Sequence, residues 1–178
     1  MQNPVSIHTL RQQLPHSNGA ERQAWAERLI AAPTDLRPLL ELLRAERPVA
    51  SRTAWLISDL ADLAPARVLP LLPEILAHRQ TLDVPGLERS LAKWWHLCGI
   101  PELNLGEATD LLFQWLADPK LNVSTKHHCL EALLPLMDHY PELRPEFILI
   151  LEAVMDEHSA AFRKKAQKVL AQRQSPGP

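Results

Sequence analysis

The sequence is poor in cysteine and glycine, and it carries no strong charge of either sign. Its 178 residues include two cysteines and five glycines, and the formal net charge is −2. Cys98 and Cys129 have no CxxC spacing, which argues against a disulfide framework and fits a reducing compartment. A charge so close to zero gives no broad attraction to nucleic acid or to anionic lipid.

Long hydrophobic runs are also missing. The longest, such as residues 147–151, are far shorter than the roughly 20 apolar residues that span a bilayer as a helix. The first four residues show no basic region followed by an apolar stretch, so no signal peptide is visible. We therefore expect a cytoplasmic protein without a membrane partner.

Alternating β-branched residues are absent, whereas leucine and proline are plentiful. The chain has 16 prolines and is 46% hydrophobic. Proline fits the first turn of a helix but breaks a helix interior. Eight prolines fall between leucine-rich segments or at their starts, namely Pro15, Pro33, Pro48, Pro65, Pro85, Pro101, Pro119 and Pro141. This punctuation predicts an all-α fold of short helices.

A basic residue recurs every 37 residues within these segments. The basic positions are Arg52, Arg89, Lys126 and Arg163, and the positions three residues later are Trp55, Ala92, Cys129 and Ala166. Each copy has apolar positions three or four residues apart, as in an amphipathic helix, and a second apolar helix precedes it. Neither helix can bury its apolar side chains alone, so we expect the helix pairs to stack on one another.

The period predicts a right-handed α-solenoid, an α–α superhelix, of about five helix pairs. We place the pairs at about residues 4–32, 34–64, 65–98, 105–139 and 141–173. They form a single repeat domain over residues 1–173, and residues 174–178 are expected to be a disordered tail.

Residues 118–133 resemble the turn and second helix of a HEAT repeat. They begin with Asp-Pro and continue with the pattern Lys-x-x-Cys-x-x-Ala-Leu, and residues 163–170 follow a similar pattern. The resemblance implies that the second helices line a concave surface. It also implies that turn acids, here Asp83, Asp118 and Asp156, pair with the basic residues of the helices.

A second resemblance covers about residues 30–172. The strings RTAWLISDL and HSAAFRKKAQKVL are similar to a small bacterial family whose members often carry the label adenylosuccinate lyase. The resemblance implies the fold. Lyases of that name have a catalytic loop in which a serine-rich stretch runs into Met-Pro-x-Lys-x-Asn, and this sequence has no such segment. We expect no lyase activity.

Several side chains are candidates for binding. Arg52, Arg89, Lys126 and Arg163 are either a phosphate-binding stripe or a set of salt bridges to the turn acids. Trp25 and Trp55 occupy the repeated core position and are expected to be buried. Trp94 and Trp95 point about 100° apart on a helix. We expect one of that pair to lie outside the core as a surface anchor.

No catalytic, cofactor or metal site is assigned. Asp59 and His96 occupy equivalent positions in neighbouring copies, so they form either an acid/base pair beside tryptophans, with Trp55 as a candidate, or a structural hydrogen bond or ion pair. The adjacent His127 and His128 face different directions, and no third ligand is spaced to join them.

The preferred hypothesis is a non-catalytic scaffold, a monomer or a weak dimer, that binds a protein or peptide on its concave face. The alternative is a nucleic-acid-binding protein, such as a HEAT-like DNA glycosylase that removes alkylated bases. Trp55-x-x-x-Asp59 resembles the tryptophan and aspartate of that family's pocket. A third possibility is a structural subunit of a larger bacterial complex.

Overall fold

The computed structural model describes residues 5–32 and 35–174, and the side chains as far as residue 172. Within these ranges the chain forms helices joined by short turns and has no β-strand, so the all-α prediction is confirmed. The chain falls into two compact units, Met1–Leu103 and Asn104–Pro178. The single repeat domain over residues 1–173 stays a prediction. The predicted tail lies outside the described residues except for Gln174, with which the last helix ends.

Seven helices are described in the first unit and four in the second. The first unit contains α1 (Ile7–Gln13), α2 (Gly19–Ala31), α3 (Leu39–Leu43), α4 (Arg47–Leu63), α5 (Pro65–Val68), α6 (Leu72–His78) and α7 (Leu87–Cys98). The second contains α8 (Leu105–Ala117), α9 (Val123–His139), α10 (Arg144–Met155) and α11 (Ala160–Gln174). Short 3-10 turns precede or follow several of them.

Local sequence signals explain where the helices begin and end. Asn18 and Glu21 form a capping box at α2, and the Asn122 side chain accepts a hydrogen bond from the Thr125 amide at the start of α9. Proline stands in the first turn of α4 and α5, as predicted, and Pro145, which was not among the eight predicted prolines, stands in the first turn of α10. Pro135 is an exception, because it lies inside α9. Gly99, at a φ of +83°, ends α7.

In the first unit, α4 packs against α2, α3, α5 and α7. Several hydrogen bonds and salt bridges join residues that lie about one repeat apart in the sequence. Arg47 binds both oxygens of the Asp83 carboxylate, with Nη2 donating to Oδ1 at 2.7 Å and Nε donating to Oδ2 at 3.1 Å. Arg67 donates to the carbonyls of Leu29 and Ile30 at 2.8 and 3.0 Å. Asp83, one of the predicted turn acids, therefore pairs with Arg47, which is not one of the four recurring basic positions.

In the second unit, α8 packs against α9 and α10, and α10 packs against α11. The core contains Leu112, Leu133, Phe147 and Leu151, none of which exposes any surface. Here one predicted turn acid does pair with its basic residue, since Arg163 Nε lies 3.3 Å from the Asp156 carboxylate.

The buried stripes of α4, α7 and α9 repeat with a step of 38 residues. The stripes run through Val49, Thr53 and Ile57 in α4, through Leu87, Leu91 and Trp95 in α7, and through Thr125, Cys129 and Leu133 in α9. The predicted step of 37 is therefore one residue short at both of these intervals. A shift of one residue turns a side chain by about 100° around a helix. From α9 to α11 the step is 37, since Phe162 and Ala166 take the positions of Thr125 and Cys129.

This register corrects three predictions about the repeat. Trp55 is 39% exposed instead of buried, and Lys126 is completely buried instead of lying on a basic stripe. Trp94 and Trp95 are both buried, so neither is a surface anchor. The prediction that Trp25 belongs to the core is confirmed.

Candidate binding surface

The strongest candidate surface lies on α4 of the first unit. The helix buries one stripe, and Arg52, Trp55, Asp59 and Asp62 follow one another at spacings of three or four residues on another side. Arg22 from α2 and Lys93 from α7 reach the same side. These six residues are called the Trp55 face below.

Trp55 lies close to two guanidinium groups. The Arg52 Cζ atom lies 4.4 Å from the centroid of the indole ring, and the Arg22 Cζ atom lies 5.4 Å from it. A cation at these distances is attracted to the negative face of the ring. The exposed ring is thereby held in place on the helix, so less side-chain entropy is lost when a ligand covers it.

Two acids of the Trp55 face are already paired. Arg22 Nε donates to Asp59 at 2.5 Å, with 16% and 18% of the two side chains exposed. Lys93 Nζ donates to Asp62 at 2.7 Å. The first pair joins α2 to α4 and the second joins α7 to α4, so both fix the three helices around Trp55.

Arg52 differs from the other two cations of this face. It is half-buried over Trp55, and no carboxylate lies within 4.0 Å of its nitrogens among the residues that the structure describes. Its charge is therefore not neutralised by a salt bridge in that part of the chain. If a ligand brings a carboxylate to Trp55, the Arg52 guanidinium can donate hydrogen bonds to it and form a salt bridge.

Trp94 supports α4 from inside. It exposes none of its surface, and its Nε1 donates to Ser58 Oγ at 2.9 Å. The Ser58 hydroxyl donates in turn to the Ala54 carbonyl at 3.0 Å. Sequence analysis did not identify this bond, because it joins side chains of α4 and α7 and no local pattern indicates it.

The remaining predicted residues do not form one site. Arg89 is exposed, and His96 is half-buried in the last turn of α7. The carboxylate of Asp59 accepts a hydrogen bond from Arg22, a partner that sequence analysis did not identify. The pairing of Asp59 with His96 stays a prediction.

Lys126 has a structural environment in the second unit. Its Nζ donates to the Leu116 carbonyl at 2.6 Å, near the end of α8. A cation at this point satisfies a terminal carbonyl and interacts favourably with the helix dipole. Burial lowers the pKa of the ammonium group, while the nearby Asp118 and Glu157 oppose that shift. The ammonium group is buried, which does not fit the predicted place of Lys126 on an exposed phosphate-binding stripe.

Neither cysteine has the properties of a nucleophile. Burial raises the pKa of the Cys98 thiol to about 11, with a further contribution from Asp62. Burial raises the pKa of Cys129 to about 12 against the opposing effect of Lys126. Both thiols are protonated at neutral pH. Among the described residues, no group of three or more His, Cys, Asp and Glu side chains is arranged to hold a metal ion.

Comparison with known proteins adds no assignment. No family model matches the chain, and no significant match appears among curated proteins or solved structures. In the described part of the chain, no helix has the length and apolar character needed to cross a membrane.

Proposed function

We propose that this protein is a non-catalytic scaffold and that the Trp55 face binds a segment of a partner protein. The observation that carries the proposal is the exposed indole of Trp55, positioned by Arg52 at 4.4 Å and Arg22 at 5.4 Å. Tryptophan and arginine are the side chains most enriched among residues that dominate protein–protein binding energy.

The proposal includes a HEAT-like stacking of helix pairs in the first unit. The 38-residue step between the buried residues of α4 and α7 supports it. So do the hydrogen bonds of Arg47 to Asp83 and of Arg67 to Leu29, which join residues about one repeat apart. In such a stack α2, α4 and α7 are the second helices, which line the concave side. The Trp55 face then lies at the centre of that side.

The chemistry of the face favours a particular kind of segment. Arg52 has no carboxylate partner among the described residues, whereas Arg22 and Lys93 are paired with Asp59 and Asp62. We expect the partner to place an aspartate or glutamate against Arg52 and an apolar side chain against the indole of Trp55. Cytoplasmic location, and a monomer or weak dimer, remain part of the proposal.

Selection from a displayed library of random peptides would test the proposal on the full chain. Recovered peptides are expected to contain an acidic residue beside an apolar one. Trp55→Ala is expected to weaken their binding at least tenfold, about 1.4 kcal/mol. Tyr140→Ala is the matched control, because Tyr140 is also 39% exposed but lies outside this face. Peptides that bind both variants equally well would contradict the proposal.

The alternative, a nucleic-acid-binding protein, has one observation in its favour. An exposed tryptophan beside arginine can stack on an unpaired base. However, Asp59 and Asp62 lie on the same face, and the Asp59 carboxylate is held by Arg22. These acids neutralise Arg22 and Lys93, so Arg52 is the one cation of the Trp55 face without a salt bridge among the described residues, whereas tight DNA binding needs several phosphate contacts.

A fluorescence titration with plain and alkylated DNA duplexes at two salt concentrations separates the two functions. The scaffold proposal predicts binding no tighter than about 10⁻⁴ M at physiological salt, which is ordinary non-specific affinity. Micromolar binding that falls steeply with salt and is lost in Trp55→Ala would favour nucleic acid. Base release lost in Asp59→Asn would then identify an enzyme.

A further inference from the structure

The second unit contains a groove between α8 and α10 with a volume of about 330 Å³. Its apolar lining includes Phe113, Leu143 and Ile150, and its polar lining includes Asp110, Gln114 and Glu146. Phe113 is buried, Leu143 and Ile150 are half-buried, and the three polar residues are exposed. The groove therefore has an apolar floor and a polar rim, as binding sites commonly do.

The charge on this rim has one sign. Asp110 and Glu146 are the charged residues of the lining, and both are acidic. Neither carboxylate has a lysine, arginine or histidine nitrogen within 4.0 Å in the parts of the chain that the structure describes. Acids elsewhere in this unit do have such partners, for example Asp156 with Arg163 and Glu131 with Lys165. The two rim acids therefore have no cationic side chain as an internal partner among the described residues, and they can pair with a cation of a ligand.

The dimensions limit what the groove can hold. Its lining on α8 runs from Thr109 to Ala117, and on the other side it runs from Leu143, directly before α10, to Ile150 within α10. At 1.5 Å per residue these stretches are about 10–12 Å long. That length accommodates about three residues of an extended chain or about two turns of a helix.

We propose that this groove binds a short basic and apolar segment of a partner protein. An apolar side chain of the segment covers Phe113 and Ile150, and a lysine or arginine pairs with Asp110 and Glu146. Leu149, which is 69% exposed on α10 one turn after Glu146, adds apolar surface beside the acid. This site does not depend on the Trp55 face, whose expected ligand has the opposite charge.

The test begins with a displayed library of random seven-residue peptides, selected on the full chain. Binders are then measured against the double variant Asp110→Asn with Glu146→Gln, which removes both charges and keeps the shape. Glu152→Gln is the control, since Glu152 lies on α10 but does not line the groove. Titration of backbone amides by NMR locates each binder, and Trp55→Ala separates this site from the other face.

The expected result is a class of peptides that contain lysine or arginine beside apolar residues. Their affinity should fall at least fivefold in the double variant, remain unchanged in Glu152→Gln and Trp55→Ala, and decrease with added salt. Amide shifts should be confined to residues 109–117 and 143–150.

Three results would overturn the proposal. The first is that no selected peptide loses affinity in the double variant. The second is that the peptides which do lose it lack a basic residue. The third is that the same amides shift with protein concentration alone, which would assign the groove to a second copy of the chain.

Discussion

Helix α4 of the first unit and helix α9 of the second are both 17 residues long, yet they place their basic residues differently. Arg52 lies half-buried over Trp55, whereas Lys126 is completely buried and bonded to the Leu116 carbonyl. When the two buried stripes are aligned, Ala50 stands at the position of Lys126. The comparison teaches that the packing of small and apolar residues decides which face of the helix is buried. Whether a basic residue is exposed or buried then depends on its position relative to that face.

The largest contrast is expected between two tryptophans of the first unit. Trp94→Ala should lower the free energy of unfolding by about 3–5 kcal/mol, because it removes a buried ring and leaves the Ser58 hydroxyl without its partner. Trp55→Ala should cost about 1 kcal/mol or less, because the ring is 39% exposed. Urea unfolding measures both values. A loss for Trp55 as large as that for Trp94 would mean that Trp55 belongs to the core.

A second contrast lies within the second unit. Leu133→Ala should cost about 2–5 kcal/mol, because Leu133 exposes no surface in α9. Leu149→Ala is the control of the same chemistry, and it should change stability by about 0.5 kcal/mol or less because the side chain is 69% exposed. The comparison uses the urea concentrations at which the two variants are half unfolded, provided that their unfolding free energies depend equally on urea concentration. Equal costs would contradict the assigned faces of α9 and α10.

A smaller effect is expected on acidification. Burial lowers the pKa of His158 below its ordinary 6.5, and the charge of Lys126 acts in the same direction, while Glu157 opposes it. The unfolded chain then binds a proton at this histidine more readily than the folded chain does. Stability is therefore lost as pH falls from about 6.5 toward the lower folded pKa. His158→Gln should reduce the loss between pH 7.5 and 5.5, and an unchanged loss would exclude His158 as a cause.

Sequence reasoning found the helices because their signals are local. Proline in first turns and apolar spacings of three or four residues act within a single helix. The all-α class follows from such signals. The stacked pairs and the Trp55 face as a binding site remain proposals.

The helix faces were harder to predict because they depend on residues one repeat away. The step from α4 to α7 and from α7 to α9 is 38 residues instead of 37, a difference that the recurrence of Arg52 and Arg89 concealed. Sequence analysis identified Trp55 and Asp59 as notable but placed Trp55 in the core and missed Arg22. The bond between Arg22 and Asp59 joins residues of α2 and α4, and no local pattern indicates it.

The most direct test of this account compares Lys126→Ala with Arg52→Ala by urea unfolding. Lys126→Ala should cost about 2–4 kcal/mol, from a lost charge-assisted hydrogen bond and the space left in the core. Arg52→Ala should cost about 1 kcal/mol or less, the magnitude of an exposed cation–π contact. Lys126→Met, which keeps most of the side-chain volume, separates the bond from the packing. Equal losses for the two alanine variants, or a larger loss for Arg52→Ala, would contradict the 38-residue register and the exposed Trp55 face with it.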